Sequence, residues 1–414
     1  MLSKWGWKLL QLSRKLWVRT SLFTVLALLT AGLAFLFDGF IPPSLAGAIG
    51  SESVEKILTI VATSMLTVTT FSLSIMVAAF NAASTGVSPR ATRLLMDDST
   101  TQNALATFIG SFLFSIVSIV MLSTDVYSDS GRVVLFIITI TVIMLIVITI
   151  LIWIEHLSGL GRVGETANRV ETEAFNAIKR CEQHPSLDAN KLASLDDIPS
   201  EASALCTTEI GYIEHIDVSA LQQWATKYNA KIYISSLPGA FVHKDRPLMW
   251  ISGSNLEEKQ PLLNAVSISD YRSFDQDPRF GLMVLAEIAS KALSPGINDP
   301  GTAIEIIGRG LRVLSNWPTQ SCQKDVKYDK VWAPAVKLDE LFNDFFNAIA
   351  RDGAGNIEIN IRLQKTFLAL ADYGPEFKRC AREHSAAALA RAELAIIYPP
   401  DIALLKKLNK QLDD

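Results

Sequence analysis

The chain has 414 residues, 19% of them charged and 49% hydrophobic, with a formal net charge of −4. That length suits two or three domains, and the lack of a basic excess argues against nucleic acid as a partner. The averages are those of a soluble protein, but the apolar residues are concentrated in the first third of the chain.

No charged residue lies between Arg19 and Asp38, Lys56 and Arg90, Asp98 and Asp125, or Arg132 and Glu155. Each gap holds the roughly 18–20 apolar residues that cross a hydrocarbon core. Four membrane spans are therefore predicted, at about 18–40, 57–82, 103–124 and 132–154, and together they make residues 1–155 a transmembrane domain. The first apolar stretch, Thr20 to Phe37, is long for a signal peptide and leads into Ile41-Pro42-Pro43, a poor cleavage context, so the helix is expected to be retained. Lys4, Lys8, Arg14, Lys15 and Arg19 precede the first span without an acid, and Arg90 and Arg93 follow the second. The positive-inside rule then puts both termini in the cytoplasm of a multi-pass protein of the bacterial inner membrane. Trp5, Trp7 and Trp17, among these lysines, suit an interfacial helix.

In the second span Thr59, Thr63, Thr67, Thr70 and Ser74 recur every three or four residues and share one helical face. Each hydroxyl can bond to a carbonyl one turn back, so the stripe costs little in lipid. It reads either as a packing face against neighbouring helices or as a wetted, pore-lining face. Ser88-Pro89-Arg90 then precedes Asp97-Asp98 and Gln102, a polar membrane edge that forms a solvated loop, pairs internally, or holds a lipid phosphate. Ala106 and Gly110 in the third span allow close helix approach.

Gly159-Leu-Gly161-Arg-Val-Gly164 matches a dinucleotide fingerprint as a string, but a membrane helix precedes it where a strand is required. A hinge is the better reading. A polar helix is expected to about Glu182, and His184 to Ala202 reads as a linker, so 156–203 is helix and linker. Ile210–Val218, Lys231–Ser235 and Leu248–Ser252 read as strands and Ser219–Tyr228 as a helix, giving a small α+β module over 204–270. The Gly211–Ile251 stretch also resembles half of a lipoyl-type barrel, but Lys244 lacks the flanks of a modified lysine. Residues 271–414 read as a helical cytoplasmic domain, with helices from Pro278 to Ser294, Asp299 to Leu314, Val331 to Ala350, Ile357 to Tyr373 and Glu376 to Ile396. Asp277 before Pro278 and Asp299 before Pro300 are predicted N-caps. Around them lie Arg272, Asp275, Gln276 and Asn298, a cluster whose alternative reading is a ligand or subunit-contact site. The four cysteines, Cys181, Cys206, Cys322 and Cys380, form no CxxC pair and are expected to be reduced structural thiols. No zinc, P-loop or nucleophile-elbow motif occurs, and the five histidines are scattered, so no enzyme activity, metal or cofactor is expected.

At these residues the chain resembles a bacterial family of predicted membrane proteins, domain of unknown function 2254. The resemblance rests on Ser88-Pro89-Arg90, on Asp98, Gln102 and Gly110, on Gln276 to Gly281, and on Ala292 to Pro300. It extends to about Leu314. Ala106 stands where a glycine is expected, and Glu155 precedes His156 where a second histidine is common. The resemblance implies the architecture and no activity. A homo-oligomeric ion conduit regulated by its cytoplasmic domain is the leading expectation. A non-conducting membrane-anchored scaffold with a soluble partner is the alternative.

Overall fold

The computed structural model describes residues 16–36, 51–96, 98–124, 129–253, 258–318 and 326–413. They fall into two compact units: 16–85 with 93–165, and 86–92 with 166–413. The expected interfacial helix around Trp5 and Trp7 lies outside the described residues, as does Cys322.

The first unit is built on helices α1 (Leu16–Leu36), α2 (Ser51–Gly86), α4 (Ser99–Ser123) and α5 (Asp129–Gly159), with α3 (Pro89–Met96) between α2 and α4. Among the described residues three stretches are long and apolar enough to cross a membrane: Glu52–Ala82, Ser99–Ser123 and Gly131–Gly159. At about 1.5 Å per residue, even the shortest exceeds the roughly 30 Å hydrocarbon core. In α1 (Leu16–Leu36) the described residues include the apolar stretch Thr20–Thr30. The polar edge at 88–98, expected as a loop, contains α3. Ser88 starts it, its Oγ accepting a hydrogen bond from Ala91 N at 3.2 Å, and Pro89 takes the first helical position.

Helix α4 is the most enclosed span, with 56% of its apolar window buried against 22% for α2 and 28% for α5. Val54, Leu58, Val61 and Met65 of α2 join Ala27 of α1, Phe108 and Phe114 of α4, and Leu135, Val142 and Trp153 of α5 in one core. Gly110 permits the closest approach, because a Cβ there would lie 2.4 Å from the Phe23 ring. The small-residue reading of Ala106 and Gly110 therefore holds despite the alanine: both are buried. At the expected hinge α5 stops at Gly159, Gly161 adopts φ +83°, and α6 begins at Val163.

The second unit begins on α6 (Val163–Gln183) and contains two sheets. Their strands are β1 (Ala189–Leu192), β2 (Ser203–Leu205), β3 (Gly211–Ile216), β4 (Lys231–Ile234), β5 (Phe241–Val242), β6 (Met249–Ser252), β7 (Val266–Ser269) and β8 (Tyr328–Pro334). The larger sheet runs β1-β8-β4-β6-β2 and the smaller β5-β3-β7. Helix α7 (Val218–Lys227) supplies Val218, Leu221 and Trp224 to the core beneath Ile232, Ile234 and Ile251. A short α8 (Gln260–Asn264) precedes β7.

Three expectations are corrected. The His184–Ala202 linker contains β1, which pairs in parallel with β8. Residues 331–334 are strand, and the helix expected from Val331 starts at Leu338. Val331 and Trp332 favour a pleated surface, Pro334 cannot occupy a helix interior, and Trp332 stacks on Tyr233 with centroids 5.1 Å apart. A strand from the region expected to be wholly helical thus lies inside the larger sheet, between β1 and β4, and the strands of 211–251 are divided between both sheets.

The remaining helices are α9 (Pro278–Ala292), α10 (Pro300–Leu314), α11 (Leu338–Asp352), α12 (Ile357–Ala371), α13 (Pro375–Ala395) and α14 (Pro399–Lys410). Their core is aromatic: Phe342, Phe345, Phe346, Phe367 and Phe377 are all buried. Gly281 of α9 lies against Ala174 of α6, where a Cβ would come 2.7 Å from Ala174 Cα. Cys181, Cys206 and Cys380 are free thiols. Burial pushes Cys181 up to about 11, and burial together with Asp339 pushes Cys380 up to about 12, so both stay protonated at neutral pH.

Candidate functional site

The hydroxyl stripe of α2 is the candidate site, and its direction is set by the rest of that helix. At about 100° per residue, positions 54, 58, 61, 65 and 72 fall within about 60° of arc and face the core. Positions 59, 63, 67, 70 and 74 fall within about 80°, on nearly the opposite side. All five hydroxyl residues are exposed. Thr59, Thr63, Thr67, Thr70 and Ser74 each donate to the carbonyl four residues back, at 2.8–3.0 Å. The stripe is therefore satisfied internally, and among the described residues no other span covers it. Packing against the described helices of the chain does not account for it. Leu66, Leu73 and Val77 border it on one side, and Ile60 and Phe71 on the other, all exposed.

A second set of hydroxyls behaves in the opposite way. Ser111, Ser115 and Ser118 of α4 are fully buried, and their Oγ atoms have no hydrogen-bond partner among the described residues. The neighbouring Thr107 Oγ1 does donate one turn back, to Asn103 O at 2.9 Å. The serines recur at i, i+4 and i+7, a spacing legible in the sequence. What the sequence could not give is that this face lies innermost.

At the start of α4, Asp98 Oδ2 accepts from Thr101 N at 2.8 Å and from Thr101 Oγ1 at 2.6 Å, capping the helix. The same oxygen lies 2.8 Å from His156 Nε2 of α5, with both side chains largely enclosed. Trp153 stacks on His156, and its Nε1 donates to Ser72 Oγ of α2 at 3.0 Å. This relay of side chains ties α2, α4 and α5 together. It unites two of the expected membrane-edge residues, Asp98 and His156, and adds Ser72, Thr101 and Trp153. Gln102, one turn into α4, has a buried Oε1 without a partner among the described residues.

Arg90 goes elsewhere. It forms an ion pair with Glu287 of α9, and Lys291 of the same helix donates to Val87 O at 2.8 Å. Residues 86–92 are thereby fastened within the second unit.

The cluster around Arg272 and Asp277 is largely an interior network. Asp277 Oδ1 caps α9 through Arg279 N at 3.1 Å, and Asp277 Oδ2 meets Arg272 Nε at 2.7 Å. Arg272 also lies over the Phe280 ring. Burial raises the Asp277 carboxyl above its usual range and outweighs the lowering by Arg272. Gln276 Oε1 accepts from Ile216 N at 3.0 Å, tying the segment to β3. Asp275 enters through its backbone, whose carbonyl accepts from Arg180 Nε at 3.0 Å. Arg279 makes a two-pronged contact with Asp344, at 2.7 and 3.1 Å. By contrast Asp299 is exposed, and its carboxyl is lowered by hydrogen bonds from Thr302 as it caps α10. Asn298, at φ +50°, is exposed beside it. Among the described residues no group of three or more His, Cys, Asp or Glu side chains could hold a metal ion.

A family model described as "Predicted membrane protein (DUF2254)" matches residues 13–369. The chain belongs to this family. Uncharacterized proteins of Mycobacterium tuberculosis (strain CDC 1551 / Oshkosh) and Mycobacterium bovis (strain ATCC BAA-935 / AF2122/97) are similar to it, each 23% identical over 295 residues. Each match covers 67% of this chain and 56% of the relative, so the chain spans about half the length of the curated relatives it matches. No solved structure matches. The DUF2254 match takes in the α2 stripe, the Asp98–His156 contact and the Asp277 and Asp299 caps, and ends before α13 and α14.

Proposed function

We propose that this DUF2254 protein is a homo-oligomeric conduit for small ions, in which α2 helices from several copies line a shared path. One observation carries the reading: the hydroxyl face of α2 points away from its own core, and none of the described residues covers it. A threonine that donates to its own backbone still offers oxygen lone pairs to a partly dehydrated cation, which suits a weakly selective path. No charged residue lies between Lys56 and Arg90, so ion-coupled transport through charged intramembrane groups does not fit. In this reading α1 is a fourth span, both termini are cytoplasmic, and the second unit regulates conduction without acting as an enzyme. The charge asymmetry of the loops supports that orientation.

Purified protein in planar bilayers is expected to conduct, and Thr67→Leu with Thr70→Leu to reduce the conductance. Silent bilayers across voltage and tension would overturn the reading.

A non-conducting scaffold is the second reading. The exposed Pro295–Asp299 segment, with Ile297 at its centre, favours it. The enclosure of Arg272 and Asp277 removes them from any such docking face. Capture of a soluble partner by the full chain, lost on Ile297→Asp and kept when the spans are exchanged for another anchor, would favour the scaffold.

A further inference from the structure

The helix that carries the hydroxyl stripe is held at its end by α9. Helix α2 runs unbroken to Gly86, and only Val87 and Ser88 separate it from Pro89, the first residue of α3. Val87 and Ala91 are fully buried and Ser88 nearly so, and this short connection belongs to the second unit. Pro89 fixes its own φ and disfavours helical backbone at Ser88, which leaves the connection little freedom. Glu287 and Lys291 lie one turn apart on the same face of α9. Glu287 pairs with the Arg90 guanidinium, and Lys291 Nζ donates to Val87 O at 2.8 Å. One helix therefore grips the connection twice, by a side chain and by a backbone carbonyl.

The rest of α9 is tied to three other elements of the second unit. Just before the helix, Gln276 accepts from Ile216 N of β3 at 3.0 Å. Arg279 forks onto Asp344 of α11, and Ser290 donates to Asp352 of the same helix. Gly281 lies against Ala174 of α6. Folding stability gives little reason for the grip on the end of α2. The Arg90 and Glu287 side chains are 49% and 27% exposed, and ion pairs in such settings add little to stability. What the pair does fix is where the end of α2 sits relative to α9.

We propose that Glu287 and Lys291 are positioning residues for α2, the contact through which the second unit sets how often the path along α2 is open. A displacement of α9 against β3, α6 or α11 is passed to Val87 and Arg90, and from there along an unbroken helix to Ser74 and the threonines before it. The proposal rests on the conduction reading above and names the contact that exerts the regulation. It separates two quantities. The hydroxyls decide how fast ions pass through an open path, and the grip of α9 decides the fraction of time the path is open.

The test is single-channel recording of the full chain in planar bilayers, beside hydrogen–deuterium exchange of the same proteins in nanodiscs. Glu287→Arg sets two cations against each other and should speed exchange at peptides covering 86–92 several-fold. It should shift the open probability several-fold and leave the unitary conductance at the parent value. Lys291→Met, which loses the bond to Val87, should shift the open probability in the same direction. Arg90→Glu with Glu287→Arg reverses the pair and should restore both exchange and open probability. Thr67→Leu with Thr70→Leu reports on the path itself and should lower the unitary conductance. Faster exchange at 86–92 with an unchanged open probability overturns the proposal and leaves the conduit standing. Unchanged exchange overturns it too, because the pair then does not hold the segment. So does a reversed pair that fails to restore the open probability, or a Glu287→Arg effect on unitary conductance. A silent parent, by contrast, removes the conduction reading and this proposal with it.

Discussion

Replacing Arg272 by alanine isolates the buried pair at the start of α9. Arg272 and Asp277 have side chains 12% and 3% exposed and meet at 2.7 Å. Without the guanidinium the carboxylate stays buried with only its capping hydrogen bond from Arg279 N. Breaking a buried pair on one side costs about 3–5 kcal/mol. For a unit of this size, at about 2–4 °C per kcal/mol, the melting temperature should fall by about 6–20 °C. The deficit should also depend on pH in a defined sense. The Asp277 carboxyl is already raised in the fold because burial outweighs Arg272, so its ionisation opposes folding as pH climbs past the ordinary carboxylate range. Loss of Arg272 raises it further. The variant should therefore fall furthest below the parent at neutral pH and close the gap as pH drops through the raised range. Arg272→Ala with Asp277→Asn should recover part of the loss, because asparagine is neutral and still caps. The assay is thermal unfolding of the full chain in one detergent at a fixed scan rate, monitored by circular dichroism. A melting temperature for Arg272→Ala within about 2 °C of the parent, at the slope above, would refute the reasoning.

Other consequences follow from single contacts. Gly281→Ala should destabilise by about 1–3 kcal/mol, because the new methyl meets the α6 backbone at Ala174, whereas Gly296→Ala enters open space and should leave the melting temperature unchanged. Ser115→Ala removes a buried hydroxyl that has no partner among the described residues, so the melting temperature should hold or rise. A clear fall would instead mean that the serines of α4 hold water or a ligand. Burial lowers the pKa of His384, which lies beside Phe342, Phe346 and Phe367. Its protonation therefore opposes folding, and stability should decline as pH falls below about 6.5, its ordinary value. His384→Leu should flatten that acid-side decline in melts between neutral and mildly acidic pH.

The spans of α2, α4 and α5 were legible because an ion left in hydrocarbon is costly, so the charge gaps mark them directly. The caps at Asp277 and Asp299 were legible because each precedes a proline that can occupy only the first turn. The pairing of β1 with β8 was not, since it joins residues well over a hundred positions apart and neither strand carries a local signature beyond a few residues. The contact between Asp98 and His156 was hidden for the same reason. Helix α14 was missed because its Pro399-Pro400 start reads as a break as readily as a beginning. Periodicity showed that Thr59 to Ser74 share a face but not where the face points. That was decided by Val54, Leu58, Val61 and Met65 filling the core on the other side.

The shared path along α2 is tested most directly by cryo-electron microscopy of the full chain in lipid nanodiscs. The account predicts several copies around a common axis, with Thr63, Thr67 and Thr70 of each turned toward it. A map showing single copies, or assembled copies whose threonines all face lipid, would contradict it.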